Sequence, residues 1–419
     1  MKTNFLGYED KKNQKLCILC WIAYASTYIC RLNYSAVMPD LEKLGVFPES
    51  QIAAISSAFF ICYGLGQIVS GMLGDRISPR YMIFGGLAVS SLSNIAIFMV
   101  NSFFPFITLW AINGAVQSMV WTPILRTAGD YFSPYERERF GIHIASTVPL
   151  GTLASYGVSL LTLLVLPWKY VFLVCGIISL TASAYWFMGT KNIITEKEKV
   201  KPTESEAKAP ALSYKKMIGI MASSGVFILT ISIVIQGTLK DSVTQWIPTF
   251  FSQQFSTGTG TSLALTMILP IINVTGAYFA RFANRYLRNE LKTSMLFFAI
   301  AAAFLAVLNF FGNNIILSLI CMAGVTNCMF AINVMIITMV PLHFSRYGCV
   351  STVGGILNAV AYIGCGALNM VAGSILENSG SSWSALFIMW LSLAVIAVIV
   401  TGIAVLPWNK FIGKEKEAD

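Results

Sequence analysis

Charge is what this chain has least of. Among its 419 residues only 11% are Asp, Glu, Lys or Arg, while 56% are hydrophobic and the mean hydropathy is +0.70. A soluble protein must cover itself with polar side chains, so this composition excludes a water-exposed globular domain and implies an integral membrane protein. The period-2 alternation of a transmembrane barrel is also missing; the apolar runs are continuous, which leaves helices. Histidine is nearly absent, with only His143 and His343, both beside loops. There is no nucleophile–base set, no metal-ligand spacing and no phosphate-cradling glycine motif after a strand, so neither an enzyme nor a bound metal or cofactor is expected. A cleavable signal is lacking too. The first apolar segment follows MKTNFLGYEDKKNQK and runs into Arg31 and Pro39 without a small-residue cleavage site, so it is expected to remain as a span.

What is present is helical and repetitive. Apolar runs lie near 16–38, 51–73, 82–100, 106–130, 141–166, 169–188, 217–250, 261–281, 293–312, 314–341, 349–375 and 382–407. That makes twelve segments, each close to the ~20 residues a helix needs to cross hydrocarbon. The longest polar stretch, KNIITEKEKVKPTESEAKAPALSYKK, reads as a flexible linker between two six-helix halves. The organisation expected is a tail (1–15), an N-terminal half (16–190), a linker (191–215), a C-terminal half (216–407) and a second tail (408–419). The nine cysteines fall in or at the ends of apolar runs, where Cys acts as a small hydrophobe. Cys17-x-x-Cys20 has no partner cluster that would make it a metal or redox site.

The net charge of +9 does not point to nucleic acid, because the basic residues are spread over loops of one topological side. That side holds 24 of the 28 Lys and Arg; the other has Lys43 and Lys169, and Arg31 and Lys240 fall within apolar runs. By the positive-inside rule both termini are expected in the cytoplasm. No Asn-x-Ser/Thr acceptor falls in an external loop, which fits a bacterial cytoplasmic membrane.

The two intramembrane cations carry the functional reading. A guanidinium in a bilayer costs several kcal/mol unless it meets a cavity or an anion. Arg31 precedes Pro39 by eight residues, Lys240 precedes Pro248 by eight, and the same offset of 209 relates Arg76 to Arg285. Duplicated halves of this kind bind substrate near mid-bilayer between the repeats, where Arg31 and Lys240 are expected to face each other. Tyr24 and Tyr28 share a helix face with Arg31 and suit an oxyanion as further donors. Lys240 is either an anion ligand or the structural partner of Asp241; neighbours on an α-helix point about 100° apart, which argues against a shared face. Trp121 either lines the pathway or accompanies a kink at Pro123, and Tyr63 and Tyr362 either line it or tip apolar runs. In GMLGDRISPR, Gly71 is expected to permit close helix approach while Asp75, Arg76 and Arg80 form a cytoplasmic conformational gate; the alternative is an ordinary solvated loop. Arg126 and Asp130 read as an interfacial pair. Asp241 is the one acid in mid-span, so it is the possible coupling group of a cation-driven carrier, yet the scarcity of buried acids favours exchange of one anion for another.

These residues resemble a known family. The two-half layout and GMLGDRISPR are similar to the major facilitator superfamily and its signature G-x-x-x-D-R-x-x-R-[RK], from which Pro79 departs. Within it, YICRLNYSAVMP, CYGLGQIVSGMLGDRISPR, WTPILRTAGDYFSPYERERFG and LKDSVTQWIPTFF look like the organophosphate:phosphate antiporters, over most of the N-terminal half and the seventh helix. The resemblance implies that Arg31 and Lys240 jointly hold phosphate, with Tyr24, Tyr28, Tyr63 and Trp121 at matching aromatic positions. Leu32, Gln67, Leu150 and Gln245 stand where the family has a second basic residue, a lysine, a histidine and an acid, so a carboxylate or sulfonate substrate stays open beside a phosphorylated one. The expected protein is a monomeric, twelve-helix carrier exchanging a small organic anion for phosphate by alternating access. A proton-coupled carboxylate importer and a non-transporting anion sensor are the alternatives.

Overall fold

A computed structural model describes residues 8, 10–74, 77–194, 214–344, 347, 350–380 and 382–416. The regular structure among these residues is helical, with no strand, as expected where backbone polar groups must be satisfied within each segment. Eleven helices among the described residues are long and apolar enough to cross a membrane. A further helix, α3 (Pro79–Ile97), carries Ser90, Ser91, Ser93 and Asn94, all buried against protein rather than lipid.

The chain forms two compact units. The first comprises Met1–Pro202 with Thr257–Pro270, the second Thr203–Ser256 with Ile271–Asp419. In the first unit α1 (Lys11–Lys43), α2 (Glu49–Gly74), α3, α4 (Phe103–Tyr131), α5 (Pro134–Ala145), α6 (Thr147–Leu163) and α7 (Lys169–Gly189) follow in order. Helix α2 packs on α4, α3 lies against α4 and α7, and α1 runs beside α6 and α7. Lipid tails are as apolar as Leu, so such contacts depend on small residues and hydrogen bonds. Gly66 and Gly114 provide the first: a Cβ on Gly114 would run into the Phe59 backbone, and one on Gly66 into Ser118.

A buried polar net provides the second. Asn33 Nδ2 donates to Asn94 Oδ1 at 2.8 Å, Ser90 Oγ to Asn113 Oδ1 at 2.6 Å, and Asn113 Nδ2 and Gln117 Nε2 reach the Cys30 carbonyl at 2.8 and 3.2 Å. This ties α1, α3 and α4 together one residue before Arg31. Thr257–Pro270, which the sequence assigns to the later half, belongs to the first unit for a visible reason. Leu263 packs with Ala36 and Tyr156, Leu32 and Met267 lie against that cluster, and the Thr259 hydroxyl donates to the Asp40 carboxylate.

In the second unit α8 (Tyr214–Ser223), α9 (Val226–Gly237), a π-turn (Thr238–Ser242) and α10 (Val243–Gln254) replace the single run read at 217–250. Gly225, with φ of +81°, breaks it: its backbone is left-handed and its Cβ position is taken by Pro407. The eighth run is likewise divided, into α11 (Thr259–Thr266), α12 (Ile268–Asn273) and α13 (Gly276–Leu287). Then follow α14 (Glu290–Phe311), α15 (Ile315–Asn333), a second π-turn (Val334–Met339), α16 (Val340–Leu342), α17 (Val350–Asn378) and α18 (Trp383–Lys416). Helix α9 packs on α17 and α18, and α14 on α15 and α18. At one end His343 pairs with Glu290 at 3.2 Å, and the Trp408 indole donates to the same carboxylate.

The first helix starts earlier than the apolar run at 16 suggests. Asp10 caps it by accepting from the Lys12 amide. Tyr8, fully buried, donates to Cys17 Sγ at 3.0 Å, and burial with that bond pushes its phenol well above the ordinary range.

Candidate anion site

Arg31 sits within α1 and is only 8% exposed. Its guanidinium carbon lies 4.8 Å from the Tyr63 ring centroid, 5.2 Å from Phe59 and 5.9 Å from both Phe60 and Tyr28. Three of these rings come from one face of α2, since Phe59, Phe60 and Tyr63 are three and four residues apart. Each ring offers its negative π face to the cation, worth about 0.5–2 kcal/mol. Rings ease the charge but supply no acceptors of oxyanion strength for the guanidinium fork.

The aromatic row continues along α1. Tyr24 meets Tyr28 edge-on at 5.6 Å, and Trp121 of α4 lies 4.6 Å from Tyr24. Of the aromatic residues singled out from the sequence, Tyr28 and Tyr63 lie over Arg31, while Tyr24 and Trp121 continue the row from Tyr28 within the first unit. Phe59 and Phe60 were missed. The signal was there, because they precede Tyr63 at helical spacing, but apolar rings in an apolar run look like ordinary lipid-facing or core positions.

In the second unit Lys240 lies in the π-turn Thr238–Ser242. Its Nζ is 3.3 Å from Asp241 Oδ2 and 5.5 Å from the Tyr362 ring centroid, which places the last of the predicted aromatic residues beside it. Gly237 makes the second contact possible, because α17 passes so close that a Cβ there would lie 2.8 Å from the Ala361 carbonyl oxygen. The pairing with Asp241 corrects the expectation that adjacent side chains diverge. That expectation assumed an α-helix. A π-turn spreads more residues over each revolution and so brings neighbours closer in angle, while the Thr244 hydroxyl donates to the Lys240 carbonyl at 2.6 Å. Just beyond, Asn369 Oδ1 accepts from Ser242 and from the Trp246 indole, anchoring the turn to α17.

The proposed gate is only partly visible. Asp75 and Arg76 lie outside the described residues. Gly71 does not mark a close helix approach among the described residues: a Cβ there would meet nothing of theirs within 4 Å. Arg80 is committed to α7, donating to the Phe187 carbonyl at 3.2 and 3.0 Å and lying 4.1 Å over the Phe187 ring. Arg126 and Asp130 do pair, at 3.5 Å, and Arg126 also holds the Ile77 carbonyl at 3.2 Å.

The profile of the Major Facilitator Superfamily matches residues 20–367, most of the chain. The chain belongs to the major facilitator superfamily. Its fold agrees: the bacterial homologue of the human lysosomal transporter Spinster, in an inward-facing and occupied conformation, superposes with a TM-score of 0.79 at 13% identity, covering 96% of this chain and 99% of that one. The glycerol-3-phosphate transporter of Bacillus subtilis (strain 168) is 24% identical over 95% of this chain and 92% of its own length. A probable hexose phosphate transport protein of Chlamydia muridarum (strain MoPn / Nigg) is 35% identical over 118 residues, 28% of this chain and 26% of its own. These relatives bear out the resemblance to organophosphate antiporters drawn from the helix motifs. This major facilitator protein is thus a multi-pass membrane transporter and not an enzyme.

Proposed function

We propose that this major facilitator protein carries a phosphorylated metabolite across a bacterial cytoplasmic membrane in exchange for inorganic phosphate, with both termini in the cytoplasm. Arg31 in the first unit and Lys240 in the second each supply a cationic contact to the transported anion. The observation that carries the reading is Arg31 itself: a permanently charged fork, almost fully buried in an apolar helix and caged by aromatic rings. The likeness to glycerol-3-phosphate and hexose phosphate carriers supports phosphate as the group it holds. Tyr24, Tyr28, Tyr63 and Trp121 in the first unit and Tyr362 in the second are the further candidate contacts.

Exchange follows from desolvation. Closing the protein over a cation takes it out of water, and a bound oxyanion offsets part of that desolvation with charge-assisted hydrogen bonds. Rearrangement between the two access states is then easier loaded than empty, which favours exchange over net flow.

The test is counterflow. Proteoliposomes loaded with labelled phosphate should release it when glycerol-3-phosphate or a hexose phosphate is added outside, and not with buffer alone. Uptake into phosphate-free vesicles driven by an inward proton gradient would replace exchange with the carboxylate-import reading. Binding of anions with no movement of any would leave the sensor.

A further inference from the structure

The Lys240–Asp241 pair has a consequence for which anions the carrier accepts. Lys240 and Asp241 are both largely buried, with side chains 14% and 20% exposed, and their charged atoms stand 3.3 Å apart. The π-turn that holds them is fixed on both sides. Gly237 lets α17 close on it, the Thr244 hydroxyl donates to the Lys240 carbonyl, and Ser242 and Trp246 donate to Asn369 Oδ1. The turn therefore holds Asp241 next to Lys240 in the chain at a fixed place on α17. At that distance a carboxylate cancels most of the lysine's field, so an incoming oxyanion meets Lys240 only by competing with Asp241, and Asp241 repels it.

Repulsion scales with the ligand's charge. A dianion feels twice the unfavourable energy from Asp241 that a monoanion feels at the same position. Resting on the reading of Lys240 as an anion contact, we propose that Asp241 is a specificity-determining residue: a built-in counter-ion that the substrate displaces, and that biases the site toward singly charged oxyanions. This would include phosphate monoesters in their monoanionic form, carboxylates and sulfonates. It is a different role from coupling to a cation gradient, in which Asp241 would take up and release the driving cation.

Two probes of fixed charge and similar tetrahedral shape test it: methanesulfonate, a monoanion, and sulfate, a dianion. Each is titrated against the full-length wild type and against Asp241→Asn, by inhibition of phosphate exchange and by thermal stabilisation of the purified protein. Removing the carboxylate should strengthen both, on the order of tenfold for methanesulfonate, and the gain for sulfate should be about the square of that, on the order of a hundredfold. Asp241→Ser, a second neutral variant, should reproduce the squared relation if Asp241→Asn assembles poorly. Asp241→Glu should keep the wild-type preference. Equal fold-changes for the two anions, or none, would mean that Asp241 only packs the turn, and the proposal would fall. Should the wild type bind these anions but exchange no phosphate, the transport reading fails instead while the squared relation still decides this one.

Discussion

At the scale of single residues, Arg31 is a buried charge lined by the rings of Tyr28, Phe59, Phe60 and Tyr63. Lysine there would keep the charge but lose the flat guanidinium that stacks on rings and grips two oxygens at once. Arg31→Lys should reduce phosphate exchange at least tenfold, and Arg31→Ala should abolish it, as read from initial rates in proteoliposomes. Wild-type rates from both variants would remove Arg31 from the site. Phe59→Ala tests the cage separately. Losing one ring should weaken anion-induced thermal stabilisation by about 1 kcal/mol, while Phe59→Trp, with a stronger π face, should retain it. The cage was half legible beforehand. Tyrosines near an intramembrane arginine stand out because they carry polar tips; Phe59 and Phe60 carry none, and only the packing of α2 on α1 reveals them.

At the scale of elements, two glycines with opposite fates show what positions the site. Gly114 on α4 touches the backbone of Phe59, so Gly114→Ala should push α2 outward and disturb the ring over Arg31. The expected cost is roughly 1–3 kcal/mol in stability, with weaker anion binding alongside. Gly71 lies in a helix with no described residue within reach of a Cβ, and Gly71→Ala should be neutral or stabilising by up to about 1 kcal/mol. Thermal unfolding in detergent compares the two directly; a tolerated Gly114→Ala with a damaging Gly71→Ala would reverse the assignment. The signature motif favours Gly71 as the important glycine, yet a motif does not say which face of a helix has a neighbour. Element boundaries carry the same lesson. The break at Gly225 and the π-turn at Lys240 both lie inside one continuous apolar run, and hydropathy has no term for either.

On the scale of the whole molecule, charge distribution sets orientation. With the basic residues concentrated on one side, a reporter that fluoresces only in the cytoplasm should be active when fused after residue 413, and a periplasm-dependent phosphatase fused there should be silent. The reverse pattern would invert the topology and exchange the two faces of the carrier. The superfamily and the helical fold were both readable from the chain: length, low charge, twelve apolar runs and the loop motif sufficed.

What the sequence determined by itself was therefore solvent, secondary structure and the two cations, because a bilayer leaves so few ways to bury a backbone or justify a charge. Tertiary structure alone decided what surrounds those cations. Which rings face Arg31 depends on how α2 turns against α1. Whether Lys240 meets Asp241 depends on the local winding of the helix, a difference in angle between adjacent residues that no spacing rule built on 3.6 residues per turn contains.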